Sequence, residues 1–97
     1  MQKINFSDPE IQRIFRENHI SRAYLVGSFA RGEAHAESDI DILYEKAQGQ
    51  KFTLMNIGNM RYRLRDITGR EIDLVSATAV RSEIRESIES DKVVIYG

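Results

Sequence analysis

The sequence has no cysteine, a single proline and a net charge of only −1, and each scarcity closes off a class of protein. Without cysteine there is neither a disulfide framework nor a thiolate metal site, the usage expected of a chain in the reducing cytoplasm. Fourteen basic residues against fifteen acidic ones leave no overall field to gather nucleic acid. No apolar run approaches membrane length, and the opening stretch MQKINFSDPE lacks the apolar core of a signal peptide. Repeats, low-complexity tracts and linkers are likewise missing. With 97 residues, 41% hydrophobic and 30% charged, the expectation is one cytoplasmic domain over 1–97. Such a chain can bury a core but keeps little surface for an elaborate pocket.

What is present reads as alternating helices and strands. Ser7, Asp8 and Pro9 supply an N-cap and a first-turn proline for a helix with Ile11, Ile14 and Phe15 on one face, ending near Asn18 and His19. Arg22 to Gly27 is short and evenly apolar, a strand buried on both faces. A short helix over Phe29 to Gly32 leads to a second strand from Ser38 to Glu45. Phe52 to Ile67 carries Ile57, Met60, Leu64 and Ile67 at helical spacing, with Gly69 as the stop. Glu71 to Ser76 is a third strand. A last helix over Ala79 to Ser90, capped by Thr78, carries the period Val80, Ile84 and Ile88, and Lys92 to Tyr96 gives a final strand. This order predicts an α+β fold, a small mixed sheet with helices packed mainly on one face.

The second strand holds the chemistry. Strand interiors disfavour aspartate, yet Asp39 and Asp41 share one face with Leu43, opposite Ile40, Ile42 and Tyr44. Two carboxylates side by side repel one another and ask for a cation, and an all-oxygen set suits magnesium or manganese. Asp73, flanked by Ile72 and Leu74 on the third strand, offers a third carboxylate. Three such acids can hold two ions and so clamp the attacking and leaving oxygens of a phosphoryl or nucleotidyl transfer. Taken alone, an Asp-x-Asp pair is more often a solvated strand end. The weight comes from its combination with Gly27 and Ser28, which close the preceding strand. There the glycine permits a close backbone approach, and the Ser28 hydroxyl with the amides of Ser28 and Phe29 can bind phosphate oxygens. Arg31 is balanced between a phosphate contact and pairing with an acid, and Ser38 is expected to orient Asp39 or its turn. Glu71 reads as a solvated strand end. Arg61, Arg63, Arg65 and Arg70 form a local cluster in which Arg61 and Arg65 are four apart and Arg63 lies elsewhere on the turn, a solvated helix face first and a partner surface second. His19 and His35 lie outside any ligand constellation.

The stretch GSFARGEAHAESDIDIL followed by EIDLVS resembles the nucleotidyltransferases of the DNA polymerase beta superfamily. Within it the chain is similar to the minimal nucleotidyltransferases that pair as antitoxins with helical HEPN-domain toxins. The resemblance spans Ala23 to Ser76, and the ending DKVVIYG is also similar to that group. It implies that Gly27 and Ser28 hold a triphosphate and that Asp39, Asp41 and Asp73 bind two magnesium ions. It further implies that AMP passes from ATP to a tyrosine hydroxyl of the toxin, with Asp73 assisting deprotonation. The helical domain by which larger members bind nucleotide and acceptor has no counterpart here, so a partner is expected to complete the site. The helices over Phe52 to Ile67 and Ala79 to Ser90 are the surfaces expected to meet that partner or a second copy of the chain. Two other readings stay open at this point: a binding module that neutralises its partner by contact, and a nucleotidyltransferase acting on small molecules or RNA ends.

Overall fold

A computed structural model describes residues 4–97. Helix α1, Pro9–Glu17, starts where Asp8 accepts a hydrogen bond from the Glu10 amide at 2.8 Å, with Pro9 preset in the first turn. Its buried residues Ile11, Ile14 and Phe15 follow the three-and-four spacing of a single apolar stripe. Strand β1, Ile20–Val26, begins two residues earlier than its apolar run implies. It passes directly into helix α2, Gly27–Arg31, and a loop then reaches β2, Ile40–Lys46. Helix α3, Leu54–Thr68, opens on a reciprocal cap. The Thr53 hydroxyl accepts from the Met55 amide, and the Asn56 side chain accepts from the Thr53 amide at 2.9 Å. It ends at Gly69, whose φ of 71° is the left-handed conformation that glycine adopts without a Cβ penalty. Strand β3, Ile72–Ser76, a 3-10 turn over Ala77–Ala79, helix α4, Ser82–Asp91, and strand β4, Val93–Tyr96, complete the chain.

The sheet order is β3-β2-β1-β4, antiparallel except for the β2 and β3 pair. That parallel pair follows from its connection: α3 is long enough to carry the chain back to the edge where β2 began. The predicted α+β mixed sheet is therefore present. One face of the sheet gives Ala23, Leu25, Ile40, Ile42, Tyr44 and Ile72 to a core closed by α1 and α3. The other face carries a smaller cluster, Tyr24, Val26 and Leu43, under Val75, Val80 and Ile88. Between α1 and α3 the buried Asn18 donates to the Ile14 carbonyl at 2.8 Å and to Asn59 at 2.9 Å, and accepts from Asn56 at 3.0 Å. Every polar atom of that side chain is paired, as burial requires. Among the described residues no helix is long and apolar enough to cross a membrane.

The last helix departs from expectation. Thr78 does not cap it; its hydroxyl lies 3.0 Å from that of Ser76 within the 3-10 turn, and α4 starts four residues later without a side-chain cap. Val80 therefore precedes the helix, although it packs with Ile88 on the smaller cluster.

Candidate active site

The alternation of β2 sends Ile40 and Ile42 into the main core and Asp41 to the opposite face, with Asp39 one position before the strand. Asp41 sits in register with Asp73 on β3 and with Val26 on β1. Strands in a ladder lie about 4.8 Å apart, so Asp41 and Asp73 stand side by side where β1 gives way to Gly27. Three sequence segments, distant along the chain, thus meet at one end of the sheet.

Gly27 is fitted to this junction twice over. Its φ of 71° lies in the left-handed region, and a Cβ built on it would collide with the Asp41 carboxylate. The absence of a side chain there leaves the backbone of the turn against the acid. Beyond it, the first amides of α2 have no carbonyl partner in the preceding turn of helix and remain available to an acceptor.

Asp41 has a pKa raised above its ordinary value. Burial is the largest cause, followed by the charges of Asp73 and Asp39 and by a hydrogen bond with Asp73; Arg31 acts in the opposite sense. A carboxyl group that is partly desolvated and crowded by two like charges is a site where a cation relieves strain. Among the described residues no three acidic or histidine side chains are drawn into a ready-made cage. The structure contains a closely set pair, with Asp39 two residues away on its own loop. An all-oxygen donor set, an acid whose charged form is disfavoured by burial and by its neighbours, and a glycine cradle that leaves room beside it all fit a hard divalent ion bound with phosphate oxygens.

The remaining predicted residues fall into two groups. Arg31 lies near Asp41, and its guanidinium bonds Glu33 at 2.8 Å and reaches Asp91 of α4 at 3.6 Å. Ser38 shapes the turn: its hydroxyl accepts from the His35 amide at 2.8 Å. Arg61 and Arg65 are exposed on α3, as a solvated helix face requires, and Arg63 is half-buried. Arg63 bonds Glu17 of α1 at 2.7 Å, and Arg65 pairs with Glu71 at 3.2 Å. Arg70 is not on α3 at all. It occupies the turn before β3 and binds the loop that leads to Asp39. Its position directly after the Gly69 stop, three residues before Asp73, is the signal that separates it from the helical arginines. A cavity of about 470 Å³ is lined by Ile4, Asp8, Ile11, Ile67 and Arg70 among others and includes none of the three acids. We place the chemistry at the open sheet end because the titratable groups converge there.

A sequence profile of the family described as polymerase beta, nucleotidyltransferase, matches residues 9–97. The chain belongs to that family. The nucleotidyltransferase is 30% identical over 90 residues to a Methanocaldococcus jannaschii protein named "putative protein adenylyltransferase", covering 93% of this chain and 95% of the relative. Its fold matches a chain of a toxin-antitoxin crystal structure containing AMP-PNP with a TM-score of 0.76 at 21% identity, over 97% of this chain and 74% of that one. It also matches a chain of the complex between a tri-AMPylated Shewanella oneidensis HEPN toxin and its MNT antitoxin, with a TM-score of 0.65 at 17% identity, over 94% of this chain and 70% of that one. At these identities the structural likenesses speak for the polymerase beta-like fold.

Proposed function

We propose that this nucleotidyltransferase moves AMP from ATP to a tyrosine hydroxyl of a helical HEPN-type toxin and acts as that toxin's antitoxin. The observation that carries the reading is the registered pair Asp41 and Asp73 set against the Gly27 turn. The name of the Methanocaldococcus jannaschii relative, a protein adenylyltransferase, supports the class of reaction. The folds matched in the AMP-PNP and AMPylated-toxin complexes support the choice of ATP and of a toxin as acceptor.

In this reading Asp39, Asp41 and Asp73 hold two magnesium ions, with manganese able to replace them. Ions held there would supply positive charge to the reacting phosphate and would lower the pKa of the attacking hydroxyl. Gly27 lets the triphosphate approach the backbone, and the Ser28 hydroxyl with the amides of Ser28 and Phe29 accommodates its oxygens. Arg31 leaves Asp91, its longer contact, to meet a phosphate. Asp73 accepts the proton of the tyrosine hydroxyl. The tyrosine oxygen forms a bond to the α-phosphorus, the bond from that phosphorus to the bridging oxygen breaks, and pyrophosphate departs with its electron pair. Ser38 acts at one remove, by fixing the turn before Asp39.

The acceptor must bring its own surface, because the acids lie at an open sheet end and not in an enclosing pocket. The outer face of α3, with Tyr62 74% exposed, and α4, with Ile84 50% exposed, are the surfaces we assign to the partner or to a second copy of the chain. The test mixes purified chain and a HEPN-type partner with magnesium and ATP. The intact mass of the partner should rise by one or more AMP groups located on tyrosine, and Asp41→Asn should prevent the rise. Equal inhibition of the partner by the Asp41→Asn protein, with no mass added, would establish occlusion as the mechanism instead.

A further inference from the structure

We propose that Arg70 is a positioning residue that locks the Asp39 loop onto the Gly27 turn, so that the three acid-bearing and phosphate-facing segments share one fastening. The loop between α2 and β2 has no regular structure and most of its residues are exposed. Its order must therefore come from a few specific bonds. Arg70 Nη1 donates to the carbonyls of His35 and Ser38, both at 2.9 Å, with the Ala36 carbonyl at 3.4 Å. The same guanidinium stands over the ring of Phe29 in α2, with its central carbon 4.9 Å from the ring centroid. Arg70 is itself anchored, since its amide donates to the Thr68 hydroxyl at 3.2 Å, which in turn donates to the Leu64 carbonyl at 2.8 Å.

The side chain thus ties the turn before Asp73, the residues before Asp39 and the helix after Ser28 into one unit without touching any of the acids. A guanidinium suits both demands: its carbon lies over the Phe29 ring while its N–H groups reach the loop carbonyls. A lysine ammonium can supply a donor but has no plane to stack. Supports that orient metal ligands at one remove typically change affinity or activity by about 10- to 100-fold when lost. The metal part of the inference rests on the function proposed above; the loop part does not.

The test compares the full-length wild type with Arg70→Gln and Arg70→Lys in three measurements. In the metal-free proteins, amide hydrogen exchange over residues 33–39 should accelerate about tenfold in Arg70→Gln, with α1 and β1 unchanged. Manganese binding, followed by the electron paramagnetic resonance of free ion, should weaken by about tenfold. In transfer assays at saturating metal, kcat should recover while the metal concentration for half-maximal rate stays raised. Arg70→Lys should fall between wild type and Arg70→Gln in each, and it serves if Arg70→Gln does not fold. The proposal is overturned if exchange over 33–39 is unchanged in the folded variants. It is equally overturned if the loop loosens while manganese affinity stays at the wild-type value. Should wild type bind manganese yet transfer no AMP, while both loop exchange and affinity respond to Arg70, the transfer reading fails and the positioning role stands.

Discussion

Asp41 is the residue at which fold and chemistry oppose one another. Burial and the neighbouring Asp73 and Asp39 raise its pKa above the ordinary 3.8, so in the metal-free protein the folded state binds a proton more readily than the unfolded chain does. Folding stability from this group then falls as pH rises from the ordinary value through the raised one, and the loss is complete above that window. Asp41→Asn removes the penalty. Chemical denaturation of the metal-free proteins should find the variant at least as stable as wild type near neutral pH. That advantage should shrink as pH approaches the ordinary carboxylate value. Transfer by the same variant should drop by at least ~100-fold, the scale of losing one charge-stabilising group at a reacting centre. A variant that loses stability at neutral pH and keeps its activity per folded molecule would contradict the assignment of Asp41. Gly27→Ala should act through both backbone and clash. A left-handed φ costs about 1–2 kcal/mol for a residue with a Cβ, and that Cβ meets the Asp41 carboxylate. Thermal melts should show the destabilisation, and nucleotide binding should weaken with it.

At the scale of elements, the two faces of the sheet are separable. The polar link between α1 and α3, centred on Asn18, lies with the main core on the face away from Asp41 and Asp73. Asn18→Ala strands Asn56 and Asn59 without their partner. It should cost roughly 1–3 kcal/mol in denaturation while leaving the transfer rate per folded molecule near the wild-type value. A rate that fell with stability would mean that the acids are positioned through α1, against the topology seen here. The elements themselves were largely legible in the sequence, because apolar period and chain punctuation set them: Asp8 and Pro9 begin α1, Gly69 ends α3, and alternation divides β2 into an aliphatic and an acidic face. The three acids and the Gly27 turn were legible for the same reason, since an aspartate within an apolar strand stands out against its neighbours. What stayed hidden depends on partners far along the chain. Arg63 was separable from the face of Arg61 and Arg65, but its acid, Glu17, lies 46 residues away. Thr78 carried the mark of a cap, but Ser76 engages its hydroxyl first. Arg70 stood beyond the Gly69 stop in sequence, but the loop carbonyls it binds lie 32 and 35 residues earlier in the chain.

For the molecule as a whole, the central claim is that the acids at the sheet end and the Gly27-Ser28 turn form one site for a divalent ion and a triphosphate together. On the proposed function, each ligand alone would meet half of its partners: magnesium would face a carboxylate pair that is not yet a cage, and ATP would bring its negative charge toward three acids. Bound jointly, each supplies what the other lacks. The most direct measurement is therefore the thermal midpoint of the wild type and of Asp41→Asn with magnesium, with ATP, and with both. A ligand that binds only the folded state adds about 2.7 kcal/mol of stability at a hundredfold excess over its Kd. The rise expected with millimolar magnesium and ATP together exceeds the sum of the separate rises, and it is lost in Asp41→Asn. No rise in wild type, or an equal rise in Asp41→Asn, would contradict the central claim.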